Sequence, residues 1–373
     1  MLYRPSLRSI WTLLILAAIC CGLYFWCESS RVQRKMPNYD QKLAASQLMV
    51  RCLQSLQETT REKGVFSENY EEPLLDVLIG QQFSLITTDI AKYETKLIGA
   101  NPNFAAVAVE LLERAGVKKG DLVAVALTGS NPGLNTAVLC ACDVLGAKPV
   151  TITALGASWW GATDPEFTWA DMEGLLVRQG ILHSQPIAAS MGGIDDAAIG
   201  LSQMGQEMMR LAAERNGLTF IHESNLPADM ARWHRLFMDA AKGNKYKAYV
   251  NVGDGVASLG HPENASLISD GLHRRLPVQN YPARGVVHRF SAEGIPIVNI
   301  DNVVALSREY GLGQARIPLP PAGQGDVFIA DRYDLRVAGL SAFIALILIV
   351  LLVHYDARLF RLREAGVDPD TLM

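Results

Sequence analysis

Cysteine is scarce in this chain, six in 373 residues, and none of it is arranged for chemistry. No CxxC pair and no His/Cys cluster occurs, so neither a zinc site nor a dithiol redox motif is legible and no metal is expected. Cys20, Cys21 and Cys27 lie in or beside an apolar run. Cys140 and Cys142 stand two apart in a helix-like stretch and point to different sides, and Cys52 is alone, so no disulfide framework emerges. Excess charge is lacking as well. The net charge is −4 at pH 7 with no acidic or basic tail, which removes the electrostatic footprint of nucleic-acid binding. There is no Walker A lysine, and GDGVASLG (Gly253 to Gly260) lacks the later glycine of the dinucleotide fingerprint. His183, His261, His273 and His288 show no metal-ligand spacing.

What is present begins with two uncharged apolar runs, Ile10 to Trp26 and Val337 to Val353, with arginines flanking both. Each is slightly short of the roughly 20 residues that span a hydrocarbon core. Tyr3, Trp11, Tyr24, Trp26 and Tyr355 suit the headgroup zone and extend them. Two alternatives stand beside the reading as membrane spans. The first run, preceded by Arg4 and Arg8, has the outline of a cleaved signal, but no clean small-x-small site follows and Ile19 is bulky before Cys20. The second could be a buried core helix, but GLSAFIALILIVLLV is apolar all round, which favours lipid. Arg4 and Arg8 before the first span and Arg358, Arg361 and Arg363 after the second place both ends in the cytoplasm. Arg31, Arg34 and Lys35 pull the other way, but a long domain counts for less in this rule, so the middle is expected outside the cytoplasm.

The expected organisation is a cytoplasmic segment at 1–9, a span at 10–27, a helical stalk at 28–66, an α/β domain at 67–330, a second span at 337–353 and a cytoplasmic tail at 354–373. In the stalk, Met49, Cys52, Leu53 and Leu56 form a helix face that either packs on the domain or dimerises. Asn101-Pro102 reads as a helix start, and LVAVAL (Leu122 to Leu127) as a central strand apolar on both faces. Further strands are expected at Pro149 to Ala154, Ile187 to Ser190, Leu218 to His222, Ala248 to Val252 and Pro296 to Ile300, most with a helical stretch before them. That alternation predicts an α/β fold: a doubly wound, mostly parallel sheet with helices on both faces, flanked by an N-terminal and a C-terminal transmembrane helix.

Ligands of such sheets bind beyond the carboxyl ends of the strands. The loops expected there are TGSNPG (Thr128 to Gly133), GASWWGATDPEFTW (Gly156 to Trp169), SMGGIDD (Ser190 to Asp196), ESN (Glu223 to Asn225) and GDGVASLG. TGSNPG opens a helix, so its backbone N–H groups suit a carboxylate or phosphate, with a tight capped turn as the plain alternative. Thr128, Gly129, Asn131, Asn135, Ser158 and Asp164 are the expected anion contacts, and Ser130 is a candidate nucleophile, though it lacks the flanking glycines of a nucleophile elbow. Asp195 and Asp196, beside Gly192-Gly193, are candidates for general acid–base work, whereas Asp171 and Glu173 suit a helix N-terminus. His222, at a strand end, is a further acid–base candidate, and His234 falls on an apolar face with Met230, Trp233 and Phe237. Arg274, Arg275, Arg284 and Arg289 lie in a stretch without acidic residues, either a solvated loop or a track for an anionic polymer. Ser84 with Lys92 or Lys96 makes a possible serine–lysine pair, against helix capping.

Four long strings, FSLITTDIAKYETK, VAVALTGSNPGLNTAVLCACDVLGAKP, GASWWGATDPEFTWADME and ASMGGIDDAAIGLS, resemble the poly-γ-glutamate system protein family, encoded near the machinery for that capsule polymer. The resemblance covers roughly Leu74 to Gly325. It implies a membrane-associated role in making or exporting poly-γ-glutamate, with the polymer synthase components, the acidic polymer and membrane lipid as partners. It supplies no catalytic residues and no cofactor. Three functions follow: an accessory protein binding an anionic polymer or its precursor, a membrane-bound hydrolase or transferase acting on amide bonds of an acidic substrate, or a scaffold for the synthase.

Overall fold

The computed structural model describes residues 9–62 and 78–364. The described residues begin with α1 (Ile10–Ser29) and β1 (Arg31–Lys35). Next come α2 (Tyr39–Glu62), β2 (Thr87–Asp89), α3 (Tyr93–Gly99), α4 (Phe104–Arg114), β3 (Leu122–Thr128), α5 (Pro132–Val144), β4 (Lys148–Ala154) and β5 (Ala157–Ser158). Then follow α6 (Trp169–Arg178), β6 (Gln185–Ser190), a 3₁₀ turn (Ile194–Asp196), α7 (Gln203–Arg215), β7 (Thr219–Ile221), α8 (Leu226–Ala241) and β8 (Tyr246–Val252). The last are α9 (Val256–Leu259), α10 (Asn264–Leu267), β9 (Gly271–His273), α11 (Val286–Ala292), β10 (Ile297–Ile300), α12 (Val303–Glu309), β11 (Ile329–Tyr333) and α13 (Leu335–Glu364). They form two compact units, one made of the described residues up to Lys35 with those from Ile329 on, the other of Met36–Phe328.

In the first unit β1 and β11 pair antiparallel, Arg31 opposite Tyr333, and α1 packs against α13. Ile10–Ser29 and Leu335–Arg358 are long and apolar enough to cross a membrane. Only 6% of each apolar window is buried, which sets aside the buried-core alternative for the second run.

In the second unit a seven-stranded sheet runs in the order β7-β6-β4-β3-β8-β10-β9, parallel throughout except for β9. Strand residues alternate sides, and the core divides accordingly. Val123, Val125 and Leu127 of β3 join a cluster with α2, α4 and α5, while Ala124 and Ala126 join one with Trp233, Phe237 and Phe290. A third cluster gathers Ala189, Met191, Met209 and Ala213 around β6 and α7.

Two sequence boundaries change. Residues 39–62, expected within a stalk, belong to this unit: Met49, Cys52, Leu53 and Leu56 are fully buried in the first cluster. Lys42, on the same helix, is buried against Glu110 of α4 at 2.6 Å. The part of the expected stalk at 63–66 lies outside the described residues. The helix expected to start at Asn101-Pro102 starts at Phe104, because the Asn101 side chain accepts from the Asn103 N–H and closes a turn first.

Candidate active site

From β3 the chain proceeds to β4 on one side, while β8 flanks β3 on the other. The crevice at the carboxyl ends of β3 and β8 is therefore a topological switch point, where open α/β sheets bind ligands. Its wall at the end of β8 is Gly253, in a left-handed conformation (φ +81°). A Cβ there would meet Thr128 Oγ1 at 2.9 Å and Asn131 Nδ2 at 3.0 Å, so the absence of a side chain lets Thr128 and Asn131 pack against this backbone.

Lys96 occupies the floor. Its Nζ donates to the Ser130 carbonyl, to Ser158 Oγ at 2.7 Å and to Asn131 Oδ1 at 3.3 Å. Ser130 Oγ accepts from the Ser158 N–H at 3.0 Å. Lys96, Ser130 and Ser158 are all buried. Burial lowers the Lys96 pKa to about 8, against the pull of Asp254, Asp301 and Asp89, which raise it. Helix α3 can bring the lysine here because Gly133, at the start of α5, carries no side chain: a Cβ would lie 2.4 Å from the Gly99 carbonyl oxygen. Gly129 performs the same service between β3 and the chain after β4, where a Cβ would meet the Leu155 carbonyl oxygen at 2.5 Å.

Three carboxylates face the lysine. Asp89 ends β2, which pairs with β5 so that Asp89 lies beside Ser158. Asp254 follows β8 and Asp301 follows β10. Burial raises the Asp301 pKa to about 7, with Asp254 and Asp270 adding to the rise and Lys96 opposing it. Asp254 reaches solvent, yet the protein crowding it raises its pKa; Asp89 adds to this and Lys96 opposes it. Two buried polar atoms nearby, Thr128 Oγ1 and Asn135 Oδ1, have no partner. Asn135 Nδ2 is committed to the Thr128 carbonyl at 2.8 Å, fastening α5 to β3. This combination of a base, two hydroxyls, acids of raised pKa and unpaired polar atoms can bind a polar group or move a proton.

The expected site residues separate into two sets. Thr128, Gly129, Ser130, Asn131, Asn135 and Ser158 come together around Lys96. The others do not join them. Asp196 follows β6, two strands from β3 in the sheet order. It is buried, accepting from Ser190 Oγ, the Gly192 N–H and Trp233 Nε1, and burial raises its pKa to about 7. These bonds fix the SMGGIDD loop. Asp195 faces solvent. His222 follows β7, the edge strand, and is exposed. Asp164 Oδ1 accepts the Glu166 N–H within a local turn.

The four arginines lie on two segments that meet, the Leu276 N–H donating to Ser291 Oγ of α11 at 2.9 Å. Arg274 and Arg275 follow β9, whose antiparallel course sets His273 opposite Ile297, at the amino end of β10 and away from the crevice. Arg284 precedes the Gly285 cap of α11, and Arg289 lies in the body of that helix. Asp171 is a helix-capping residue bonded to Thr168 and held by Arg215, and Glu173 is buried between Thr151 and Ser184. Ser84 is occupied locally, its Oγ accepting the Ile86 N–H, so the serine that meets Lys96 is Ser158 instead.

Sequence reasoning named Lys96 only as a partner of Ser84 and did not assign Asp89, Asp254 or Asp301 to the site. Asp301 directly follows the apolar strand VNI, and Asp254 sits in GDG after another, so the strand-end rule applied to every carboxylate would have found both. The position of Lys96 at the strand ends carried no such signal, because it depends on the contact between Gly99 and Gly133. Among the described residues no group of three or more His, Cys, Asp or Glu side chains could hold a metal ion.

No family model and no curated protein matches the chain. Among solved structures, O-ureido-L-serine synthase is 13% identical over 62% of this chain and 76% of its own, with a TM-score of 0.17. Diaminopropionate ammonia lyase from Escherichia coli, in complex with an aminoacrylate-PLP azomethine reaction intermediate, is 14% identical over 90% of this chain and 87% of its own, also with a TM-score of 0.17. Its apo form gives 13% identity over 91% and 90%, with a TM-score of 0.18. Scores this low carry no functional argument.

Proposed function

We propose that this chain is a membrane-anchored protein of poly-γ-glutamate biosynthesis or export, holding an acidic ligand in the switch-point crevice of a doubly wound sheet outside the cytoplasm. The observation that carries the reading is Lys96, a cation on the crevice floor beside the amino terminus of α5, both suited to a carboxylate. The strings that resemble the poly-γ-glutamate system family supply the residues that meet there: Asp89 and Lys96 from the first, Thr128 to Asn131 from the second and Ser158 from the third. The two apolar helices provide the anchor. Synthase components and membrane lipid are the partners this reading implies. Titrating the full-length protein in detergent with poly-γ-glutamate tests it: saturable binding that weakens as salt rises is expected, and no binding at low salt refutes it.

The contact between Lys96 and Ser158 favours a second reading, an amide hydrolase or transferase. With its pKa near 8, Lys96 is partly neutral at neutral pH and can take the Ser158 proton as the hydroxyl attacks an amide carbonyl, then return it to the leaving amine. Turnover of the polymer that disappears in Ser158→Ala supports this reading; absence of turnover by the wild type retires it.

A further inference from the structure

The two apolar helices leave a groove between them, inside the first unit. Its volume is about 420 Å³, within the range of small-molecule sites. Ile15 and Ile19 of α1 form one wall, and Leu348 and Leu352 of α13 the other. His354, Tyr355 and Arg358 line its polar end. We propose that this groove holds one anionic phospholipid, with an acyl chain along the isoleucine and leucine walls and the headgroup phosphate on Arg358. This rests on the reading of α1 and α13 as a membrane anchor.

The fold sets where the groove lies. β1 follows α1 directly, β11 leads directly into α13, and the two strands pair antiparallel, so the helices leave that end side by side. There the Tyr333 hydroxyl donates to Glu28 at 3.0 Å and helps to tie the pair. The groove belongs to the opposite end, where α1 starts and α13 passes beyond its apolar run. From Leu348 to Arg358 it follows α13 for about 15 Å at roughly 1.5 Å per residue, half of a hydrocarbon core about 30 Å thick. It therefore serves one leaflet. A lipid chain has that reach, whereas a partner helix crossing the membrane needs a face through both leaflets.

The polar end selects the headgroup. None of the described residues lining the groove is acidic; Asp356, between Tyr355 and Arg358 in sequence, is not one of its walls. Arg358 and Tyr355 are exposed, and among the described residues neither has a hydrogen-bond or ion-pair partner. A guanidinium fork matches phosphate oxygens, and a phenol hydroxyl can donate to one of them. The arginine stem can stay against the apolar wall while its head reaches the headgroup layer. Arg361, one turn beyond, is exposed and adds positive charge on the same helix. A zwitterionic headgroup would bring an ammonium towards these arginines, so a lipid with net negative charge is preferred. Basic pockets between membrane helices take acidic headgroups for the same reason.

The test is native mass spectrometry of the full-length protein in detergent, titrated with phosphatidylglycerol and with phosphatidylcholine of identical acyl chains. One phosphatidylglycerol should bind, about five-fold or more tighter than phosphatidylcholine, the effect of one arginine at an acidic headgroup. Arg358→Gln changes an exposed side chain and should bring the two lipids close to equal. Leu351→Trp enlarges an exposed residue of the wall, fills the groove and should weaken both. Equal binding of the two lipids by the wild type, or an unchanged preference in Arg358→Gln, overturns the proposal and leaves the anchor reading intact. Crosslinking from a photoreactive residue at position 15 to a second protein chain in native membranes, in place of lipid, does the same. Recovery of the protein in the soluble fraction without detergent overturns both.

Discussion

Lys96 Nζ lies 2.7 Å from Ser158 Oγ, across 62 positions of sequence. The contact joins α3 to the strand end at β5, and around it are the groups whose proton affinities are most displaced in the crevice. Burial pushes the Asp301 pKa up to about 7, and Lys96 opposes the rise. Lys96→Met is therefore expected to move the Asp301 titration upward, followed by carbon-13 NMR of the carboxyl; an unmoved titration contradicts the electrostatic link.

The same carboxyl shapes the pH dependence of folding. Its folded pKa is raised from 3.8 to about 7, so its contribution to stability is complete below its unfolded value and is lost as pH rises through about 7. Asp301→Asn should flatten the loss of stability between pH 4 and pH 7 in denaturant melts. An identical pH profile in the variant would exclude burial of this group.

Gly133→Ala should be strongly destabilising, because its Cβ would lie 2.4 Å from a backbone oxygen that cannot rotate away. A cost of about 2–3 kcal/mol is expected for overpacking at such a point. Gly120→Ala meets no neighbour within 4 Å and carries only the strain of its positive φ, so it should cost less. Chemical denaturation of both variants measures the difference.

Lys42 and Glu110 give an asymmetric pair. Lys42 is completely buried, whereas the Glu110 side chain is 23% exposed. Glu110→Ala leaves a buried ammonium with only the Val327 carbonyl at 3.2 Å, and should cost on the order of 2 kcal/mol. Lys42→Met removes the charge itself and should cost less, in the same melts. A reversed order would show that Lys42 is not the deeper partner.

The fold was more legible than the site. The expected strands at 122–127, 149–154, 187–190, 248–252 and 296–300 fall within or close to β3, β4, β6, β8 and β10, because buried parallel strands are continuous apolar runs. β9, with three residues on the edge, and the small β2–β5 pair had no such pattern and were not anticipated. The TGSNPG loop and Ser158 were recognisable from their strand-end position. Lys96 was named, but with Ser84 as its partner; its place beside Ser158 depends on the Gly99–Gly133 approach, which no local pattern shows.

Whether the crevice or the arginine loop receives the acidic ligand is decided by comparing three full-length proteins in detergent: wild type, Lys96→Met and the Arg274→Ala/Arg275→Ala double variant. Trp160, whose ring lies 5.8 Å from Tyr93 on α3, is one of the six tryptophans whose fluorescence reports on binding. Titration with γ-glutamyl oligomers at low salt should give saturable quenching in the wild type and the arginine variant, with affinity at least ten-fold weaker in Lys96→Met. Undiminished binding by Lys96→Met together with its loss in the arginine variant would contradict the assignment of the ligand to the switch-point crevice.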